Sequence, residues 1–223
     1  MVYQGFLICI CGDEMNCIDL DSLVNKPKIN DLTYDLIREF YETRLYPYEY
    51  EYIIHDTCYK YEIKLRFDKD CLSHLLGLEK IVKYSVNRNE LYKYRGLNAW
   101  YNIENGYITI DKLKRLNKKG FNSQKDKLVF FYLIPRLVSD SPKAIYFDKS
   151  IVNPTTFVDC KLMFYDKVQN AMIHLGLEPK DDNTYYRPRT FLIERITSKN
   201  DGSKFIKNQT VISASIKSKV AIR

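Results

Sequence analysis

The chain has 223 residues, a formal charge of +7 and 45% hydrophobic content, with 19 Tyr against a single Trp. That is enough apolar material for a real core in one unit, and no apolar run approaches membrane-spanning length. Eight glycines, none in a P-loop or dinucleotide fingerprint, argue against nucleotide-cofactor enzymes of those classes. The charge is concentrated: residues 187–223 hold nine Lys/Arg against Glu194 and Asp201, and residues 112–127 hold seven cations against Asp126. If folding joins the two stretches, they form a surface for a polyanion; otherwise they are ordinary solvated faces.

Six cysteines (Cys9, Cys11, Cys17, Cys58, Cys71 and Cys160) would permit disulfides. The apolar run 5–10 is too short and has the wrong flanks for a secretory leader, so free thiols in a reducing cytoplasm are expected. Cys9, Cys11 and Cys17 lack the second knuckle of a zinc site.

In chain order, residues 1–30 are poorly patterned and read as an extension of unknown role; residues 31–223 read as a single domain. Asp31 is the expected cap of a helix with Leu32, Leu36, Ile37, Phe40 and Tyr41 at helical spacing, stopped by Pro47. The period then becomes two, with Tyr48, Tyr50, Tyr52 and Ile54 followed by Tyr59, Tyr61, Ile63, Leu65 and Phe67, and a hairpin turn at residues 55–58. Asp70 is the expected cap of a second helix that buries Leu72, Leu75, Leu76 and Leu78 and carries His74. A short helix over 111–116 and a longer one from Ser123, kinked or ended near Pro135, complete the helical half. Strands are expected near 144–147, 157–164, 171–175, 190–196 and 210–220. Helices followed by adjacent strands make the fold class α+β, with an N-terminal helix and hairpin and further helices packed on a C-terminal antiparallel sheet.

The chemistry-bearing residues suit phosphate transfer without a metal. RNA is cut in this way when a base takes the 2′-hydroxyl proton, an acid protonates the leaving 5′-oxygen and cations hold the phosphate, leaving a cyclic phosphate. His74 can serve either proton function. Arg187 and Arg189, or Arg115, Lys118 and Lys127, can grip phosphate. Thr190 can donate to a non-bridging oxygen, and Tyr185 or Tyr186 can stack a base. Each has a plainer alternative: His74 as a core-edge residue, the arginines as a charged strand entry, Thr190 as a strand residue bonding its own backbone. His174, flanked by Ile173 and Leu175, is expected to face solvent. The three histidines lack metal-site spacing, so no metal and no cofactor is expected. A Cys71/His74 nucleophile pair shares one helical turn but needs an accessible thiolate.

The order of motifs carries a resemblance. His74-Leu75-Leu76-Gly77-Leu78, Gly106-Tyr107-Ile108-Thr109, Ile145-Tyr146 and Tyr185-Tyr186-Arg187-Pro188-Arg189-Thr190-Phe191 together resemble the phage-associated barnase/EndoU/colicin/RelE-like nuclease domains, subtype four, over residues 31–220. The resemblance implies a small α+β fold whose sheet has an open face for RNA, a metal-independent ribonuclease toxin, His74 as the family's histidine and Thr190 at the place of a small hydroxyl residue. It also implies an arginine late in the long helix, a place for which Lys127 and Arg136 are the candidates. A toxin of this kind implies a toxin–antitoxin or phage-conflict system with an antitoxin or immunity partner. Two other functions fit the sequence less well: a non-catalytic RNA- or partner-binding module with a basic face, and a modifying toxin that uses a nucleotide donor.

Overall fold

The computed structural model describes residues 18–139, 141–153 and 156–223; Cys9, Cys11, Cys17 and the run 5–10 lie outside them. Thr33, not Asp31, caps the first helix, α1 (Tyr34–Arg44), its side chain accepting the Leu36 N–H at 3.0 Å. Asp31 instead accepts the Lys28 N–H at 3.2 Å and closes a preceding 3-10 turn. Tyr34, Ile37, Phe40 and Tyr41 form the buried stripe of α1. Strands β1 (Tyr48–His55) and β2 (Lys60–Arg66) follow as an antiparallel hairpin. Its turn is tied by the Asp56 carboxylate, which accepts the N–H groups of Cys58 and Tyr59.

The helical layer continues with α2 (Leu72–Leu76), α3 (Leu78–Val82), α4 (Gly96–Glu104), α5 (Ile110–Phe130) and α6 (Ile134–Ser139). Asp70 does not cap α2; it lies in the 3-10 turn Lys69–Cys71 that leads into the helix. Gly77 separates α2 from α3 at φ +69°, its N–H donating to the His74 carbonyl at 3.1 Å. The left-handed turn favours glycine, and a Cβ at this position would stand 2.5 Å from Gln124 Oε1 on α5, so that side chain would have to move aside. The two helices expected over 111–116 and from Ser123 are one span broken at Asn117. Thr109 caps the first half, and the Asn117 side chain caps the second by accepting the Gly120 N–H at 2.8 Å. Pro135 sits in the first turn of α6, where its missing N–H is harmless, rather than ending a helix.

After β3 (Lys143–Tyr146) and the short α7 (Lys149–Val152) come β4 (Leu162–Val168), β5 (Ala171–Pro179), β6 (Tyr186–Arg195) and β7 (Thr210–Ala221). The fold is α+β, but the expected open antiparallel sheet is a closed seven-strand barrel in the order β1-β2-β6-β5-β4-β3-β7. The strand β7 pairs with both β1 and β3, drawing the N-terminal hairpin into the same ring. The ring closes at a parallel seam where Leu65 is in register with Tyr186. Closure leaves no free sheet edge, and side chains brace the short seam. The Tyr185 hydroxyl donates to Asp68 at 2.6 Å, Arg223 pairs with Asp68 at 2.7 Å, and Arg66 lies 4.7 Å over the Tyr185 ring.

The main core joins helices to barrel: Leu75, Leu78 and Phe130 meet Leu175 and Phe191, and Phe131 packs edge-on to Phe191 at 6.2 Å. Leu20 belongs to the same core. A smaller core of Ile145, Cys160, Met163 and Phe205 lies apart from it. Alternation along β5 sends Ile173 and Leu175 to the main core and His174 to the other face, where Phe205 covers it edge-on at 5.6 Å. His174 is therefore fully buried, at 0% exposure, not solvated. No helix among the described residues is long and apolar enough to cross a membrane.

Candidate active site

The His-Leu-Leu-Gly-Leu run builds the site by burying its leucines. Leu75, Leu76 and Leu78 anchor α2 and the start of α3 in the main core, leaving His74 exposed on the outward side of the turn. Its Nε2 lies 3.4 Å from the Arg189 guanidinium. A guanidinium only donates, so in this contact Nε2 accepts and the ring proton resides on Nδ1. Arg189 reaches His74 because the β5–β6 register shifts between Gly176 and Leu177, which face Thr190 and Pro188 and leave Arg189 as the extra residue of a bulge. A bulge re-aims the side chain it frees. Glu178 lies 3.4 Å from Arg189 and 3.2 Å from Arg187, which is 3.9 Å from Asp70, so a chain of alternating charges leads to the imidazole. Loss of surrounding water and, second, the positive charge of Arg189 hold the His74 pKa below its ordinary value, against the opposing pull of Glu79 and Glu178.

Lys127 approaches the same turn from α5. It is 6% exposed, and its Nζ has no hydrogen-bond partner among the described residues. Burial, and then Lys80, push its pKa down to about 7, and its charge adds to the lowering at His74. Gln124 Oε1, one turn earlier, is also buried without a partner. Two unmet polar groups on one helical face are unusual in a folded interior and often mark a functional site.

His74, Ser73 and Gly77 line a cleft of about 440 Å³ whose rim carries Lys80, Lys83 and Arg95. Besides the buried Tyr94, two exposed aromatic rings line it as well, Tyr84 and Phe157, at 86% and 94% exposure. Arg95 is fixed at the entry of α4, where the Gly96 N–H donates to Ser73 Oγ at 2.9 Å, and its guanidinium pairs with Glu79 at 2.5 Å. Lys80 and Lys83 make no ion pair among the described residues, although Lys83 lies 5.4 Å over the Tyr84 ring. A second concavity of about 380 Å³, near Asp35, Asp111 and Lys114, contains no imidazole or thiol. Among the described residues, no three His, Cys, Asp or Glu side chains converge as a metal-ligand group.

Of the residues singled out from sequence, His74, Arg189 and Arg187 are linked by direct contact and through Glu178, and Lys127 acts on His74 through its charge. Thr190 is next to Arg189 in the chain, but it is buried with its methyl directed toward Gly176, beside Cys160, and has no contact with His74 among the described residues. Tyr185 is buried in the barrel seam with its hydroxyl shared between Asp68 and Lys180, so its ring is not free to stack a base. Tyr186 packs half-buried against the main core. Arg115 and Lys118 are exposed on α5 and unpaired among the described residues, without contact to His74. Arg136 lies on α6 beside Tyr165, away from His74, so Lys127 is the late-helix cation whose charge acts on the histidine. Cys71 is buried, and burial first, then Asp70 and Asp68, drives its thiol pKa up, which removes the thiolate a Cys71/His74 pair would need.

The two basic stretches do meet, yet they cancel charge there: Arg195 holds Asp126 at 2.8 Å. Lys217 and Arg223 are likewise paired, with Glu62 and Asp68. The cations at the cleft are instead Lys80, Lys83 and Arg95, which sequence reasoning passed over. The spacing of Lys80 and Lys83 three apart, one turn beyond His74-Leu75-Leu76-Gly77-Leu78, was a usable signal. Phe157, expected to begin a strand, lies in the loop before β4, and nothing in its local sequence marks it as exposed.

No curated protein and no solved structure matches the chain. Residues 37–221 match a family of nucleases, a span that takes in every barrel strand and the His74 cleft. The chain belongs to the phage-Barnase-EndoU-ColicinE5/D-RelE like nuclease4 family, PBECR4.

Proposed function

We propose that the protein is a metal-independent endoribonuclease toxin that cuts cellular RNA by attack of the RNA's own 2′-hydroxyl. The observation that carries this reading is an imidazole with a depressed pKa, 3.4 Å from a guanidinium, opening into a cleft rimmed by cations. Neutral His74 accepts the 2′-hydroxyl proton at Nε2, which the Arg189 guanidinium leaves as it turns to the phosphate, and the freed oxygen attacks phosphorus. As the bond from phosphorus to O2′ forms, the bond to O5′ breaks, leaving a 2′,3′-cyclic phosphate and a 5′-hydroxyl. Arg189 holds the non-bridging oxygens, where negative charge grows. Lys127, with a pKa of about 7, is assigned the proton that the leaving 5′-oxygen takes, a role that requires RNA binding to uncover its buried Nζ. In this reading Thr190 packs beside the bulge and takes no direct part. Arg115 and Lys118 extend the cationic surface for more distant phosphates.

A cell that makes such an enzyme in its cytoplasm must restrain it, so the reading includes an antitoxin or immunity protein in a toxin–antitoxin or phage-conflict system. The test is incubation with total RNA in chelator, followed by mapping of the ends. Cyclic phosphate termini that are absent with His74→Ala support the proposal. Intact RNA with the native protein, or cleavage that the variant retains, contradicts it.

A further inference from the structure

The cleft carries more than charge, and its aromatic rings are the part that phosphate chemistry leaves unexplained. Tyr84 and Phe157 come from separate segments, after α3 and before β4, yet line one cleft and stand 86% and 94% exposed. Most aromatic rings among the described residues are buried or packed against one of the two cores; Tyr59, Tyr92 and Tyr101 are exposed too, but of the exposed rings Tyr84 and Phe157 are the two that line this cleft. Aromatic faces interleaved with backbone-binding cations form the recognition surface of single-stranded nucleic acid, because every base offers a π-face once it leaves the helical stack. A paired duplex hides those faces and is read by shape and by its hydroxyls and phosphates.

We infer that the His74 site takes unpaired RNA, with bases beside the reacting phosphate stacked on Tyr84 and Phe157. This deepens the nuclease reading and rests on it for the choice of RNA over DNA, since only RNA carries the attacking hydroxyl. Lys80, Lys83 and Arg95 follow the phosphates along the rim. Glu79, the acid that lines the cleft, is held by Arg95, which reduces its repulsion of the strand. Lys83, 5.4 Å over the Tyr84 ring, sits on one face of it by cation–π attraction, so a base stacks on the other. Stacking of this kind tolerates sequence, so the inference concerns strandedness and not a motif.

The test uses full-length His74→Ala protein as a non-cleaving background. Its affinity is measured for a fluorescent oligoribonucleotide and for the same strand annealed to its complement, at fixed salt. Binding to the single strand should be at least about tenfold tighter, and Tyr84→Ala or Phe157→Ala should each lose on the order of tenfold on the single strand alone. Phe157→Trp should keep the affinity and show fluorescence quenching as a base stacks on it. Both positions are exposed, so circular dichroism should show the fold unchanged. Equal affinity for both forms, or alanine variants that bind as the parent does, overturns the inference. Native protein that cuts duplex as fast as single strand also overturns it while leaving the nuclease reading intact. Native protein that cuts neither, with the stacking pattern still present in binding, sinks the nuclease reading and keeps this one.

Discussion

His74 and His174 occupy regions that the fold treats in opposite ways, although loss of water is the first cause lowering the pKa of each. His174 is enclosed on the outer face of β5 beneath Phe205, with no side-chain partner on either ring nitrogen and a pKa near 4. His74 has a weaker depression, an arginine at 3.4 Å and an opening onto a cationic cleft. A low pKa by itself therefore marks nothing in this molecule. What separates a reactive imidazole from a packed one here is access, together with a neighbour that can hold the charge the reaction develops.

The largest expected effect is on rate. His74→Ala should lower RNA cleavage by about 10²- to 10⁴-fold, the usual worth of a positioned proton-transfer group. Its thermal midpoint should stay near that of the parent because the side chain is exposed. His174→Phe should leave the rate unchanged. Initial rates on one labelled RNA measure both, and equal losses in the two variants would break the comparison.

Lys127 sharpens it from the other side. Its folded pKa, about 7, lies below the unfolded 10.5, so folding disfavours the charged form. The resulting penalty is complete below about pH 7 and fades as pH rises towards 10.5, with an upper bound on the order of 4 kcal/mol at neutral pH. Lys127→Met should accordingly raise stability at pH 7 while cutting activity at least about tenfold. Urea unfolding at pH 7 and pH 10, with rates alongside, would check this. A gain in stability without loss of rate would assign Lys127 to the core alone.

For His174 the folded pKa, about 4, lies below the ordinary 6.5, so the unfolded chain binds the proton more readily between those values. Stability contributed by the neutral ring is complete above about pH 6.5 and is lost as pH falls towards 4, by about 3 kcal/mol in all. Glu194, half-buried on the same face of β6 with its pKa raised first by loss of water, contributes with the opposite sign, its stabilisation fading as pH rises through its folded value. The difference between parent and His174→Phe in unfolding free energy, measured from pH 4 to pH 7, isolates the histidine. A difference that stays flat would mean the ring is not shielded from water.

Much of the fold could be read from local pattern. The period-two tyrosines of β1 and the buried leucines around His74 appear where the alternation placed them, because each burial face is set within a few residues. Barrel closure was not legible. It rests on the β7 register with β1 and on one parallel seam, both non-local, and no local period specifies which strand edges meet. In the site, Arg189 could be named as a phosphate group but not its route to His74, which depends on a bulge opposite Gly176. Charge density misled for a similar reason: the C-terminal cations found acids across the fold, while the cleft was lined by fewer, of which Arg95 is paired with Glu79 and Lys80 and Lys83 make no ion pair among the described residues.

The most direct measurement is a joint titration of single-turnover RNA cleavage and of the His74 ring resonances by NMR, in the native protein and in Arg189→Ala. The account expects the acid limb of the rate to coincide with the His74 titration, below pH 6.5, and both to move upward together when the arginine charge is removed. A rate profile that ignores the His74 titration, or an acid limb that stays in place when the ring's own pKa moves, would contradict it.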